Sequence, residues 1–474
     1  MRRIKQISVE GLFGTLNHVI PLHTEEKITI VHGPNGVGKT IILRLINDLF
    51  SQRNAELRKI PFSKLQVDFD DKSSFWIIKS PEEQASNGTQ SPSISTLHFY
   101  WAVPGYETQD FELVSSRERW PKINEEAQYI FTLEATSPIP FVRVEAKKWM
   151  HQLTGELFSL EDMLEDFGDL FPNLPTNTNT LPEPDWLKEL RQSLPIRFIE
   201  TQRLLSVYNK PILAGRSRPG LIELTITKYA EELASKIREK REESNTIGQV
   251  LDKTFPKRVF EPTPLQKSMS EKELRQKLVE QDKKRSRLMA AGLLDQDNSS
   301  AFQMGEQVEE SQKIMLSVYV EDTEKKLGVF DEISRKINLL TKIINGKQFL
   351  NKAMTITKDA GFVFTSTSGE IIPLNKLSSG EQNQLVLFYD LLFKTQPKSL
   401  LLLDEPETSL HIVWQKEFLQ DIYDIISLTD IDIIIATHSP DLIYKSWDLT
   451  VGLGGTVDEG ASTYEIPVGI WISR

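Results

Sequence analysis

The chain has 474 residues, 39% of them hydrophobic and 26% charged, enough for about two or three domains' worth of buried core. A net charge of −11 argues against a surface coated for nonspecific nucleic-acid binding, while a local basic groove stays compatible with it. Cysteine is absent, which excludes a disulfide framework and thiolate metal sites, and no run approaches the ~18 apolar residues of a membrane span.

The opening residues, Met1-Arg2-Arg3-Ile4-Lys5, lack the apolar core of a secretory signal, so the expectation is a cytoplasmic protein with no membrane attachment. Residues 1–32 read as short strands ending in the β-branched run Lys27 to His32. Directly after them stands Gly33-Pro34-Asn35-Gly36-Val37-Gly38-Lys39-Thr40, and then Ile41, Ile42, Leu45, Ile46 and Leu49 at the spacing of a helix packed on a sheet. Strand, G-x-x-x-x-G-K-T and helix is the context in which backbone N–H groups turn onto phosphate oxygens and the helix N-terminus adds its dipole. Lys39 is expected to reach the β- and γ-phosphates of ATP, and Thr40 the Mg²⁺.

From Lys64 the pattern alternates: Leu65 to Phe69, Ser74 to Ile78 and Tyr129 to Leu133 are expected strands, set in a β-rich insertion over 61–190 beside the first lobe at 1–60. Ser80 to Ser95 reads as a mobile polar loop, and Phe171 to Asp185, with four prolines, as a surface connector. Ile196 to Gln202 is a strand ending in an amide that can ligand Mg²⁺ or hold an attacking water, which makes Gln202 a candidate catalytic and metal-binding residue. It opens a stretch, 191–260, that begins a helical lobe in which Ile226, Tyr229, Ala230, Leu233 and Ile237 share one face.

Residues 261–350 are expected to form a short antiparallel arm. Glu271 to Ala291 would run out, with Leu274, Leu278 and Leu288 inside, and the chain would reverse over Gly292 to Gly305 and return through Val308 to Ile344. At ~1.5 Å per residue such a helix spans only about 30 Å, the scale of a docking feature rather than a tether. The basic cluster Lys283-Lys284-Arg285-Ser286-Arg287 would sit near its tip, as a solvated face or as a contact for an acidic partner or nucleic acid.

The last stretch, 351–474, carries two strands joined around Asp359-Ala360-Gly361, then Leu377-Ser378-Ser379-Gly380-Glu381-Gln382. A helix with Leu385, Phe388, Leu391 and Leu392 follows, and then the strand Leu400 to Leu403, which delivers Asp404 and Glu405. Asp404 would hold the Mg²⁺ hydration shell, and Glu405 would orient and deprotonate the attacking water. A second apolar strand, Ile431 to Ala436, ends in Thr437-His438-Ser439, where His438 would contact the γ-phosphate. Ser378, Ser379 and Gly380, at a helix N-terminus, form a second anion site, with Glu381 next to them as a further nucleotide-binding candidate. More than 300 residues separate it from the phosphate loop, and no internal repeat is seen.

Taken in order, these motifs resemble the ABC ATPases of the SMC/RecF/OLD group, in which a helical arm interrupts the chain between the Gln-bearing loop and the signature at 377–382. The resemblance covers about 1–50, 196–260 and 350–450. It departs from transporter signatures at Ser379, where they have glycine, and at Glu381, where they have glutamine. It implies an α/β P-loop ATPase head with a β-rich insertion and a short helical or coiled-coil arm. It also implies slow ATP hydrolysis in a head-to-head dimer or higher homo-oligomer, with Ser378 to Gly380 meeting the γ-phosphate bound to a second subunit. The short arm, and only 34 residues after Pro440, resemble most the sensor ATPases of two-gene bacterial anti-phage systems, PARIS first and Septu second. Those imply a separate nuclease effector, Toprim-type or else HNH-type, and a phage-encoded trigger. The alternative within the group is a DNA-repair or chromosome-maintenance ATPase that clamps duplex DNA. A transporter subunit fits the motif spacing poorly, and a scaffold that binds ATP without turnover is opposed by the intact Glu405.

Overall fold

The structure is a computed structural model, and it describes residues 2–80, 96–113, 141–145, 148–151, 157–159, 162, 183–201, 203–208, 221–260, 269–295, 308–347, 349 and 351–454. The chain begins with β1 (Ile4–Leu12), β2 (Leu16–Pro21) and β3 (Ile28–His32), then α1 (Lys39–Phe50) and α2 (Asn54–Lys59). Four strands follow: β4 (Lys64–Phe69), β5 (Ser74–Lys79), β6 (Leu97–Ala102) and β7 (Gln109–Leu113). Next come β8 (Phe141–Glu145), β9 (Lys148–His151) and β10 (Leu157–Ser159), which form a small sheet of their own. α3 (Asp185–Ser193) leads into β11 (Ile196–Ile199) and the antiparallel pair β12 (Leu205–Tyr208) and β13 (Leu221–Leu224).

The helical region is α4 (Thr225–Phe260), α5 (Glu271–Ala290), α6 (Glu310–Gly328) and α7 (Asp331–Gly346). The chain returns through β14 (Lys352–Thr357), β15 (Gly361–Ser366) and β16 (Ile371–Ile372) to α8 (Ser379–Tyr389). It closes with β17 (Leu400–Asp404), α9 (Ile412–Thr429), β18 (Asp432–Thr437), α10 (Pro440–Ile443) and β19 (Thr450–Gly452).

Five strands make a parallel sheet in the order β11-β17-β18-β3-β19. Its central strands are buried on both faces, as parallel strands covered by helices must be, and so read as unbroken apolar runs. Along β17, Leu400 and Leu402 pack with α1 and the antiparallel strands, while Leu401 and Leu403 pack with α8, α9 and the arm. β18 divides the same way, with Ile434 and Ala436 on the first side and Ile433 and Ile435 on the second. Each core therefore lies on one face of this sheet, and the sheet is what both halves of the chain share.

The strands expected as an insertion beside the first lobe are continuous with it. β1 lies between β2 and β4 in a six-stranded antiparallel sheet of order β2-β1-β4-β5-β6-β7. The cause is the two-residue period: Leu65, Val67, Phe69, Phe75, Ile77, Leu97 and Phe99 are all buried, in one core with Leu45 and Leu49 of α1. Most of 114–182, including the expected strand Tyr129 to Leu133 and most of the proline-rich connector, lies outside the described residues, as does the loop at 81–95.

The arm differs from the expected two-helix hairpin. α4 alone has 36 residues, ~54 Å at ~1.5 Å per residue, and its outer half faces α6 in antiparallel sense through Arg258–Asp322 (2.5 Å) and Lys326–Asp252 (2.9 Å). The segment after α5 is no distal turn. Leu288, Ala291 and Leu293 join the core of Met354, Ile356 and Phe362, and Asp295 pairs with both Arg241 and Lys358, at 2.7 and 2.6 Å. The basic cluster therefore lies next to the base of the arm, not at its tip, with Lys284 on Asp331 (2.5 Å) and the Arg285 guanidinium donating to the Tyr319 hydroxyl (3.1 Å). Leu274 and Leu288 are buried as expected, whereas Leu278 is only half-buried.

Candidate active site

Three strand ends of the parallel sheet, those of β3, β17 and β18, converge on the N-terminus of α1. Residues 33–38 bridge β3 to α1, and Gly38 holds φ +94° as the residue that starts the helix. A Cβ there would come 2.6 Å from Leu12 Cδ2, so both the backbone angle and the neighbour require glycine. Lys39, only 5% exposed, donates to the carbonyls of Gly33 (2.9 Å) and Pro34 (3.0 Å), folding its ammonium back over the loop. Burial lowers the Lys39 pKa, and the carboxylates of Glu405, Asp404 and Glu407 oppose that shift.

The Lys39 ammonium also lies 3.2 Å from His438 Nδ1. An ammonium has only donors, so Nδ1 is the acceptor in this contact, and Nε2 faces Glu405 Oε1 at 3.4 Å. The order Lys39–His438–Glu405 thus spans the mouth of the loop. Glu405 adopts φ +42°, ψ +55°, a left-handed conformation costing on the order of 1 kcal/mol for a residue with a Cβ. Its N–H still donates to the Ala436 carbonyl (2.9 Å), so the chain turns sharply at the end of β17 while tied to β18. Glu407, two residues on, accepts at one oxygen from the Thr437 hydroxyl (2.6 Å) and from the His438 main-chain N–H (2.8 Å).

Asp404 ends β17 at 6% exposure, and the Thr40 hydroxyl donates to its Oδ1 at 2.8 Å. Burial raises the Asp404 pKa and the Thr40 hydrogen bond opposes it. A buried carboxylate against a hydroxyl, desolvated and short of positive charge, fits a divalent cation that would be shared with phosphate oxygens. Among the described residues no group of three or more His, Asp or Glu side chains forms a closed metal site.

Gln202 lies outside the described residues. Its neighbours are placed. The Thr201 hydroxyl donates to the Asp404 carbonyl (3.3 Å), Glu200 pairs with Arg44 (3.3 Å), and Arg203 is buried, its pKa lowered by burial to about 10.

The signature residues stand apart from this cluster. Ser378 caps α8, accepting from the Glu381 N–H (3.3 Å), while the Glu381 carboxylate accepts from the Ser378 N–H (2.7 Å) in a capping box. Lys352 of β14 pairs with Glu381 at 2.8 Å, and these contacts hold its pKa down against burial. Glu381, 6% exposed, is thereby committed to its own helix end. Among the described residues, no hydrogen bond of Ser378, Ser379 or Gly380 reaches residues 33–40. Sequence reading missed Lys352, which carries no motif, and Glu407, which the run Asp-Glu-Pro-Glu marks as a further carboxylate at the same strand end.

No curated protein matches the chain. Among solved structures it is similar to the Smc head domain from Pyrococcus furiosus bound to the C-terminal domain of ScpA, at 11% identity over 95% of this chain and 93% of that one, TM-score 0.33. It is likewise similar to the SMC head domain from Thermotoga maritima, at 11% identity over 95% and 94%, TM-score 0.30. A family model described as an AAA ATPase domain matches residues 3–443, nearly the whole length, and the chain belongs to that family.

Proposed function

We propose that this chain binds and hydrolyses ATP at sites completed by a second copy of itself. The observation that carries the reading is the gathering of Lys39, Thr40, Asp404, Glu405 and His438 at three adjacent strand ends, with the hydrogen bonds of Ser378 to Gly380 among the described residues staying within their own helix end. Lys39 holds the β- and γ-phosphates, Glu405 takes the proton of the attacking water, and His438 reads the γ-phosphate. Bound Mg²⁺, held by Thr40 and Asp404, and by Gln202, would neutralise charge on the phosphates. The N-terminus of α8, with Ser378, Ser379 and Gly380, closes on the γ-phosphate of the partner's nucleotide. Glu381 keeps that helix end in place.

The biological setting we propose is an anti-phage complex, in which this chain is the ATP-dependent sensor and scaffold for a separate nuclease, released or activated by a phage-encoded trigger. The resemblance of motif order to the PARIS and Septu ATPases supports it. Salt-sensitive duplex binding with DNA-stimulated ATP turnover would instead favour the DNA-maintenance reading.

A mixing experiment tests the shared site. Ser378→Arg blocks capture of the partner's γ-phosphate and leaves the chain's own phosphate loop intact, whereas Lys39→Ala does the reverse. Each should be inactive alone, and equimolar mixing should restore part of the activity, because each heterodimer keeps one site with both elements. Full ATPase rate in a monomer at high dilution would overturn the proposal.

A further inference from the structure

Glu407 is a carboxylate that the proposed chemistry leaves without a role. It lies in the short turn after β17, yet its bonds go to the end of β18. Oε1 accepts from the Thr437 hydroxyl at 2.6 Å and the His438 N–H at 2.8 Å. The turn is itself fixed, since the Glu407 carbonyl accepts from the Leu410 N–H at 2.8 Å. Beyond it, the Thr437 hydroxyl accepts from the Ser439 N–H (3.0 Å), and the Ser439 hydroxyl donates to Gln415 of α9 (2.6 Å). Glu407 Oε2 is buried and has no hydrogen-bond partner among the described residues. A buried carboxylate oxygen left unpaired is costly, and that cost is accepted here for a carboxylate whose other oxygen joins two strand ends.

From this geometry we infer that Glu407 is a positioning residue for His438: it sets where the imidazole stands between Lys39 and Glu405. His438 is half-exposed at its side chain, and its ring contacts, 3.2 Å to Lys39 and 3.4 Å to Glu405, are long enough to be lost by a small rotation. What is rigid is its main chain, and the side chain that fixes that main chain is Glu407. Because Glu407 is two residues from Glu405 along the chain, the same turn places the base and the sensor. A shift of one therefore carries the other, and their separation is preserved. Alignment errors of about 1 Å at reacting groups cost on the order of 100-fold in rate, which is the scale expected if the clamp is removed.

The inference rests on the ATPase reading, and the test separates the two. Five proteins are compared, each checked for a native circular-dichroism spectrum: wild type, Glu407→Ala, Glu407→Gln, His438→Ala and the Glu407→Ala/His438→Ala double variant. Glu407→Ala should lower kcat on the order of 100-fold while the Kd for ATP moves less than about 3-fold, and the double variant should be no slower than His438→Ala alone. Glu407→Gln, which keeps an acceptor oxygen for Thr437 and His438, should recover most of the rate. Additive losses in the double variant, or equal losses in Glu407→Gln and Glu407→Ala, would overturn the positioning role. A second readout does not require turnover. In imidazole NMR of the protein without nucleotide, the His438 ring signals should shift in Glu407→Ala and hold in Glu407→Gln. A His438 ring unmoved by Glu407→Ala overturns the inference, whereas a wild type that moves no phosphate while its His438 ring responds overturns only the ATPase reading.

Discussion

The strand ends of the parallel sheet and the helical arm are both rich in charged side chains, but they hold them in different ways. At the strand ends, groups hundreds of residues apart in the chain meet within a few ångströms. Lys39, Asp404 and Thr437 are buried there, and each polar group is positioned by backbone that the sheet has already fixed. Along the arm, apart from Arg258–Asp322, whose aspartate is buried, the pairs are spread over helix surfaces: Lys277–Glu324, Lys326–Asp252 and Lys284–Asp331 all keep side chains roughly a third or more exposed. The first arrangement gathers interacting groups around a buried lysine and a buried aspartate, so one substitution changes binding or chemistry. The second distributes weak, solvent-screened contacts over a fold held by its apolar seam, so one substitution changes little.

The largest effects should therefore come from the strand ends. Lys39→Ala removes the cation that three carboxylates surround, and it should weaken ATP binding on the order of 100-fold or more in calorimetry. Glu405→Gln should bind ATP nearly as wild type and lose turnover, because an amide cannot take the proton of water. A Glu405→Gln protein hydrolysing at the wild-type rate would remove Glu405 from its catalytic role and with it much of the contrast drawn above.

Next in size are changes where the arm joins the head. Gly361 opens β15 with φ +70°, and a Cβ there would stand 2.1 Å from the Ala230 carbonyl of α4. Neither the angle nor the space admits a side chain. Gly361→Ala should cost about 2–3 kcal/mol in urea unfolding, with nucleotide affinity of the folded fraction kept. A neutral Gly361→Ala would mean that α4 is not seated on this hairpin.

How far these features could be read beforehand follows the same division. The phosphate loop, the β17 end and the β18 end are legible because short-range chemistry dictates them: glycine where a helix starts at positive φ, an apolar run where both sheet faces are covered, a carboxylate at the strand's end. Pairing β4 to β1 was not legible, since alternation gives a strand's faces but not its neighbour. The path of the arm was also hidden. Gly292 with a polar run after it looks the same whether it turns at a tip or at a base, and only the burial of Leu288 and Leu293 against Ile356 decides. Glu407 was visible as a residue but not as a clamp, because its partners Thr437 and His438 come from another strand.

An effect of comparable size tests burial near the site without touching it. Asp48 of α1 is 3% exposed, and burial raises its pKa to about 6 from 3.8, with Arg53 opposing the shift. The folded state therefore holds this proton more tightly than the unfolded chain. Stability should fall as pH rises from about 4 to about 6 and stay lowered above that. The full shift corresponds to about 3 kcal/mol. Asp48→Asn should recover up to that amount at pH 8, less what the Arg53 contact contributes, and almost nothing at pH 4. Equal gains at both pH values would show that the ionised carboxylate is not the cause.

The smallest effect belongs to the basic cluster of α5. Lys284 pairs with Asp331 at 2.5 Å, with side chains 31% and 53% exposed, and Arg285 reaches the Tyr319 hydroxyl. Exposed pairs of this kind contribute about 0–1 kcal/mol, so Lys284→Ala should shift the urea midpoint barely beyond error, and less again in high salt. Replacing Lys283, Lys284, Arg285 and Arg287 together with alanine should leave ATP turnover intact, because the cluster packs beside the arm's base, where Lys284 and Arg285 bond to residues of the arm. If those four changes nonetheless weaken binding of an acidic protein or of DNA, with a loss that shrinks as salt rises, the cluster is a contact surface. If every such ligand binds as before, its charges serve only the arm's own helices. In that case the contrast sharpens: the strand ends would hold the functional charge, and the arm's charge would be solvated surface.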